Sequence, residues 1–452
     1  MVLLTNALKS HIVYLLGGFY ILKERGTKMK KNKDIVIIGF TVFATIFGAG
    51  NLIFPPYLGM DLGSKWPISF LGFLLSDVGI ILLTIIAVAK VGTYQDVVGT
   101  AGKKFGVSLE VIMMLCLGPI LVIPRTAATT FEMSIQPLFN FVNPIVFSLL
   151  FFSLTLLLTI RTTKVMNLIG KFLTPILLLC LGFLIFKGIQ SPIGEAKINV
   201  DSSNLFVKGI TQGYQTMGAL GMGGVAAFIM SSFLSKGYGK KETVNLTIKA
   251  SVIAGIGLIL VYSGLTYLGS TASNMYDSSI SQTALLVNIT NHLLGDTGKI
   301  ILAIIVAIAC LTTSIGLTSV TSKYFESVSN KKLKYEYVVI FICVFSAIIS
   351  NFGVGKIIEI SIPFLTVIYP VSIVLVVMSL FRKVITRKPI YKGVAYATLV
   401  TSLLTVVDSL GVKISFVHEL PFANNGFNWL VPAVLGGIIG FAISKKNESH
   451  KA

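Results

Sequence analysis

Two clusters of glycine interrupt otherwise apolar stretches of the chain. The first is Gly48-Ala49-Gly50-Asn51, in the middle of the run from Thr41 to Pro56; the second places five glycines in twelve positions between Gly213 and Gly224. Glycine is about 1 kcal/mol worse than alanine in a helix interior. Such clusters mark either a helix that opens or helices packed through small residues. An opened helix surrounded by apolar chain leaves N–H and C=O groups that something other than bulk water must satisfy. The amides that begin the resumed half, at the positive end of its dipole, suit a carboxylate. The carbonyls that end the other half suit an ammonium group or Na⁺. A zwitterion bearing both groups on one carbon fits both, and the neighbouring Ile46, Leu52, Met217 and Leu220 favour an apolar side chain on it.

Three consecutive hydroxyl residues, Thr312-Thr313-Ser314, form a third feature. They either bond back to carbonyls one turn earlier or act as hard oxygen ligands for Na⁺ together with carbonyls of the opened first helix. Arg125 lies in the apolar segment Gly118–Ala127, with Glu132 seven residues later near the same helical face. Ionisable groups at such depth are expensive and default to functional hypotheses. The pair reads either as a gate or as a structural ion pair tying its helix to a neighbour. Asp77 and Glu359 are further candidates for gating or proton coupling, and Asp408 reads as interfacial.

The elements that must position these groups follow from composition. The 452 residues are 54% hydrophobic and 12% charged, with mean hydropathy +0.86, whereas a soluble domain carries roughly 25% charged residues. Apolar stretches of helical crossing length recur at 34–58, 66–90, 108–131, 142–160, 166–187, 205–233, 244–270, 297–322, 336–351, 357–380, 391–410 and 427–444. This predicts an all-α polytopic membrane protein of about twelve transmembrane helices. With alternating sides, 29 of the 37 Lys and Arg fall on the side of the N-terminus and 7 on the other, Arg125 lying within a span. By the positive-inside rule both termini are expected in the cytoplasm, in the cell membrane.

The glycine clusters fall in spans one and six, five helices apart. A repeat of five helices is odd, so its second copy enters from the opposite side. The expected organisation is a first inverted repeat at 29–190 (helices 1–5) and a second at 205–380 (helices 6–10), with helices 1 and 6 broken. Helices 11 and 12 follow at 391–445, then a cytoplasmic tail at 446–452. Residues 1–28 read as an N-terminal extension or start-codon artefact. Interrupted segments at corresponding positions of two halves point to a transporter binding site.

Other classes find little support. The net charge of +19 is spread over short loops and serves orientation, so no nucleic acid is expected as a partner. All four cysteines lie singly in apolar spans, and the four histidines lie in tails or loops, without metal or haem spacing. No Walker-type Gly-Lys-Ser/Thr motif points to ATP drive, and no ring of charge points to a channel. A secondary transporter is expected, not an enzyme, with no covalently bound cofactor.

Several segments carry a resemblance. The run Ile38–Pro56, the segment from Gly118-Pro to Glu132 with its Pro-Arg-Thr-Ala core, Gly213-Tyr-Gln-Thr-Met217 and Cys310–Leu317 resemble, in order, helices one, three, six and eight of bacterial branched-chain amino acid carriers (the BrnQ or LIV-II family). The resemblance covers essentially residues 29–445. It implies Na⁺- or H⁺-coupled symport of leucine, isoleucine and valine by alternating access across a lipid bilayer, on a LeuT-like fold of the amino acid–polyamine–organocation carriers. By position it implies a substrate site of Gly48, Ala49, Gly50 and Asn51 with Gly213, Tyr214, Thr216, Met217 and Gly218. It implies a sodium site from the carbonyls of Ala44 and Phe47 with the Thr312 and Thr313 hydroxyls, or in another register Thr313 and Ser314. The alternatives are a carrier of another neutral amino acid and a transport-impaired amino acid sensor. In one departure, the family pattern has an Asp after the Thr-Met pair, where this chain has Gly218. An ammonium or ion contact expected of that acid has no carrier at this position.

Overall fold

Each apolar stretch becomes a helix because, with no water to hydrogen-bond the backbone, an apolar segment must satisfy its own N–H and C=O groups. The computed structural model describes residues 31–160, 174–198 and 203–449. The expected N-terminal extension at 1–28 lies outside the described residues, as do the start of the fifth apolar stretch and the end of the C-terminal tail. Among the described residues there are helices and no strand. Their order is α1 (31–46), α2 (Ala49–Leu62), α3 (66–91), α4 (Lys103–Ile135), α5 (Pro144–Ile160), α6 (Thr174–Gln190) and α7 (Leu205–Gln215). Then come α8 (Met222–Ser235), α9 (Lys240–Thr271), α10 (Gln282–Val328), α11 (Tyr335–Ser350), α12 (Gly353–Leu380), α13 (Lys388–Ser409) and α14 (Leu430–Ser449).

Among the described residues, seven helical stretches are long and apolar enough to cross a membrane, and four shorter apolar helices accompany them. Large apolar side chains point outward, including Leu150 and Leu157 of α5, Val344 and Ile348 of α11, and Ile438 and Ile439 of α14. A belt of this kind belongs against lipid rather than water.

The two halves exchange partners. Helix α2 packs along α9, and α7 packs along α3. Both contacts bring backbone against backbone: Gly59 lies on the Thr266 carbonyl and Gly269 on that of Pro56, while Gly72 and Gly209 lie on the carbonyls of Phe206 and Ser69. No Cβ fits at these four glycines. The first broken helix is thus paired with the second helix of the other half, and the second broken helix with the second helix of the first half. Two inverted halves produce this exchange. Glycine also serves plain packing, at Gly393 and Gly436 between α13 and α14.

At one end of the bundle, the start of α1 is tied down by charge. Lys31 pairs with Glu242 at 2.6 Å, and Asp34 pairs with Lys236 and accepts from the Tyr238 hydroxyl at 2.9 Å. The stretch between 270 and 297, read from sequence as a connection, contains an unexpected element. A helix starts at Gln282, capped by the Ser281 side chain, and bends at Gly295 (φ 58°, ψ −147°) into the long remainder of α10.

Candidate solute and cation site at two helix breaks

The first break is closed by its own sequence. Helix α1 ends at residue 46, Gly48 is extended (φ −134°, ψ −162°), and α2 begins at Ala49. Asn51 makes the restart: its Oδ1 accepts the Gly48 N–H at 3.1 Å, and its own N–H donates to the Gly48 carbonyl at 3.1 Å. This is a capping-box arrangement with the side chain reaching back three residues. Because Gly48 and Asn51 donate elsewhere, the carbonyls of Ala44 and Phe47 lose the donors that a continuous helix would supply. The Thr313 hydroxyl donates to the Phe47 carbonyl at 3.4 Å, and a Cβ on Gly48 would sit 2.9 Å from Thr313 Oγ1.

The three hydroxyls of α10 diverge. Thr312 bonds back to the Ala309 carbonyl at 3.0 Å, Thr313 faces the first break, and Ser314 lies 3.3 Å from Thr155 Oγ1 of α5. The structure therefore brings Phe47 and Thr313 together, turns the Thr312 hydroxyl back onto its own helix, and directs Ser314 elsewhere.

The second break is held from outside. Helix α7 ends at Gln215, and Met217 adopts φ 60°, ψ 12°, a left-handed conformation rare for a residue with a side chain. A 3-10 turn, Gly218–Gly221, leads into α8. The carbonyls left at the end of α7 are taken by Arg125 of α4, whose Nη1 donates to Gln215 at 2.7 Å and Nη2 to Thr216 at 3.1 Å. Its guanidinium also lies 5.6 Å from the centroid of the Phe54 ring of α2. A Cβ on Gly50 would meet Arg125 Nη2 at 2.7 Å and Thr216 Cα at 3.1 Å. The two breaks meet here, and only glycine fits between them.

The other second-break residues singled out from sequence face away from this meeting point. Gly213 lies against Ser76 of α3, Tyr214 stacks on Tyr369 of α12 with centroids 4.4 Å apart, and the buried Met217 holds the turn. The Thr216 hydroxyl and Gly218 both face Asp77 of α3. Asp77 is fully buried, and the Tyr262 hydroxyl of α9, which accepts from Asn51 Nδ2, faces it too. The sequence signal for Asp77 was the cost of an acid within an apolar span; Tyr262 gave none.

Arg125 and Glu132 share no partner, and each ties α4 to a different neighbour through hydrogen bonds. Glu132 is the second residue of a π-turn, Phe131–Ile135. It accepts from Thr283 at 2.7 Å and from the Val354 N–H at the start of α12 at 2.8 Å. It lines a cavity of about 700 Å³ that also includes Phe147, Asn288 and Asn351 and lies apart from the breaks.

Residues 31–447 match the model of a family described as "Branched-chain amino acid transport protein". The chain belongs to that family. Similar relatives include the branched-chain amino acid permeases BraB and BrnQ of Bacillus subtilis (strain 168), 35% and 33% identical, each match covering 91% of this chain and 96% of the relative. A putative branched-chain amino acid carrier protein of Staphylococcus haemolyticus is 35% identical over 93% of this chain and 98% of its own length. Among solved structures, the nucleobase-cation-symport-1 family transporter Mhp1 matches with TM-score 0.59 at 11% identity, over 91% of this chain and 93% of its own. A Na⁺-coupled sialic acid symporter matches with TM-score 0.57 at 13% identity, over 90% and 89%. At these identities the two structures speak to the fold alone, which is LeuT-like. The family member is accordingly a multi-pass membrane transporter and not an enzyme.

Proposed function

We propose that this branched-chain amino acid transport family member imports leucine, isoleucine and valine by alternating access, coupled to a cation. The observation that carries the reading is the meeting of two positive potentials at Gly50. The first-turn amides of α2 and the Arg125 guanidinium converge there, an arrangement favourable to an anionic group such as the substrate carboxylate. Apolar walls from Phe47, Leu52 and Phe54 suit an aliphatic side chain, and the permease relatives support the substrate class. The carbonyls of Ala44 and Phe47 with the Thr312 and Thr313 hydroxyls form an oxygen-rich set for Na⁺ as co-substrate, in keeping with the Na⁺-coupled symporter that shares the fold. The charge distribution supports a cell-membrane orientation with both termini in the cytoplasm.

The test is uptake of labelled leucine into proteoliposomes under imposed Na⁺ or H⁺ gradients. Accumulation that responds to at least one gradient is expected; accumulation indifferent to both would overturn symport. Replacing both Thr312 and Thr313 with Val should raise the Na⁺ concentration for half-maximal uptake. An unchanged Na⁺ dependence would return these hydroxyls to packing.

A further inference from the structure

The Thr216 hydroxyl has more acceptors than protons. Its Oγ1 lies 2.6 Å from Asp77 Oδ1 and 2.7 Å from the Gly213 carbonyl, and it accepts the Gly218 N–H at 3.3 Å. A hydroxyl has one proton to donate and two lone pairs. If Asp77 is ionised, two acceptors compete for that single proton across short contacts. If Asp77 holds a proton on Oδ1, every bond closes: Asp77 donates to Thr216, Thr216 donates to Gly213, and Gly218 fills the remaining lone pair. The other carboxylate oxygen, Oδ2, is buried, and the donor turned toward the carboxyl from that side is the neutral Tyr262 hydroxyl. A charge facing only neutral hydroxyls at this depth carries a large desolvation cost, which a neutral acid avoids.

The surroundings supply no cation in place of the proton. The titratable groups facing Asp77 are Tyr262 of α9 and Tyr369 of α12, both phenols. Arg125 reaches Thr216 only through its carbonyl, and the 3-10 turn and α8 contain no titratable residue. Nor is this a Na⁺ cage. Replacing a hydration shell takes several free oxygens, while Asn51 Oδ1 is already engaged by the Gly48 N–H and the Thr216 hydroxyl by its own bonds.

We propose that Asp77 carries a transported proton, held on Oδ1 against Thr216, so that each solute imported brings one proton with it. The inference builds on the cation-coupled reading above and adds a second coupling position on the far side of the second break. Binding from the outer solution forms the Asp77 O–H bond. Release to the cytoplasm breaks it and regenerates the carboxylate, so the proton adds one positive charge to that brought in by the zwitterionic solute and its Na⁺. Because Thr216 caps α7, the proton and the geometry of the break are linked through one residue.

The test uses the full chain purified into proteoliposomes with equal Na⁺ on both sides. Wild type should accumulate leucine under an inward proton gradient. Asp77→Asn, whose amide donates to Thr216 as the protonated acid does, should keep leucine counterflow and lose gradient-driven accumulation. In Asp77→Ala/Gly218→Asp the acid returns to the same space, since a Cβ at position 218 lies 2.9 Å from Asp77 Oδ1; proton-driven accumulation should return. Gradient-driven accumulation by Asp77→Asn equal to wild type would overturn the proposal. A second readout needs no substrate: the infrared carbonyl band of a protonated carboxyl should be present in wild type and missing in Asp77→Asn. Its absence from wild type would overturn the proton assignment, whereas failure of leucine counterflow in wild type would overturn the substrate reading.

Discussion

The two breaks solve one problem in opposite ways. Each interrupts a helix where water is scarce, and each must then satisfy stranded backbone groups. The first does so with a residue three positions away, Asn51, and one hydroxyl, Thr313. The second relies on Arg125 of α4 for its carbonyls and Asp77 of α3 for its Thr216 hydroxyl, and it holds Met217 in a strained conformation. A self-capped break can keep its shape while its neighbours move. A break held from outside changes when its partners do, which suits it to respond to solute and proton.

Removing the outside support should break this contrast most severely. Arg125→Ala strands the carbonyls of Gln215 and Thr216, each at about 1–3 kcal/mol, and should abolish uptake and lower the melting temperature of the purified protein. Arg125→Lys should recover part of the stability. If Arg125→Ala kept wild-type stability, the second break would prove as self-sufficient as the first. Next, Gly50→Ala drives a methyl into Arg125 and Thr216 where the breaks meet, and overpacking of this kind costs about 1–3 kcal/mol. Gly316→Ala, with nothing within 4 Å of the added Cβ, should keep uptake and, as an alanine within a helix, raise melting slightly; equal losses from both would deny the close approach at Gly50.

Asn51→Ala tests the local solution. Loss of its cap costs about 1 kcal/mol, so the change in denaturation should be smaller than for Arg125→Ala, and the reverse order would invert the comparison. The subtlest expectation concerns Met217. Both Met217→Ala and Met217→Gly lose its packing, but only glycine relieves the left-handed backbone. Met217→Gly should therefore be the more stable of the two by about 1 kcal/mol, opposite to the order found in a helix.

This contrast also explains what could be read in the sequence. The apolar stretches, and both interruptions, follow from local composition, because hydropathy and glycine content act over a few residues. Asn51 is legible for the same reason, standing three positions after Gly48. Arg125, Asp77 and Tyr262 converge from three different helices, and no spacing in the chain encodes that convergence. Arg125 and Glu132 show the limit from the other side, for two charges seven residues apart on one helix take partners from different neighbours that no spacing names. The helix beginning at Gln282 is hidden because it is too short and polar to register as a span.

The glycine contacts of α2 on α9 and of α7 on α3 have a mechanical consequence. Where backbone lies on backbone there are no side chains to rotate, so such a seam is stiff in shear and its two helices travel as one solid piece. Compliance must then lie where the joints are few and polar: at the Arg125 fork, at the Thr313 hydroxyl, and at the ionic clasp of Lys31, Asp34, Lys236 and Glu242. The molecule is thus built of rigid plates and a small number of hinges, and its solute site lies where the hinges meet the plates.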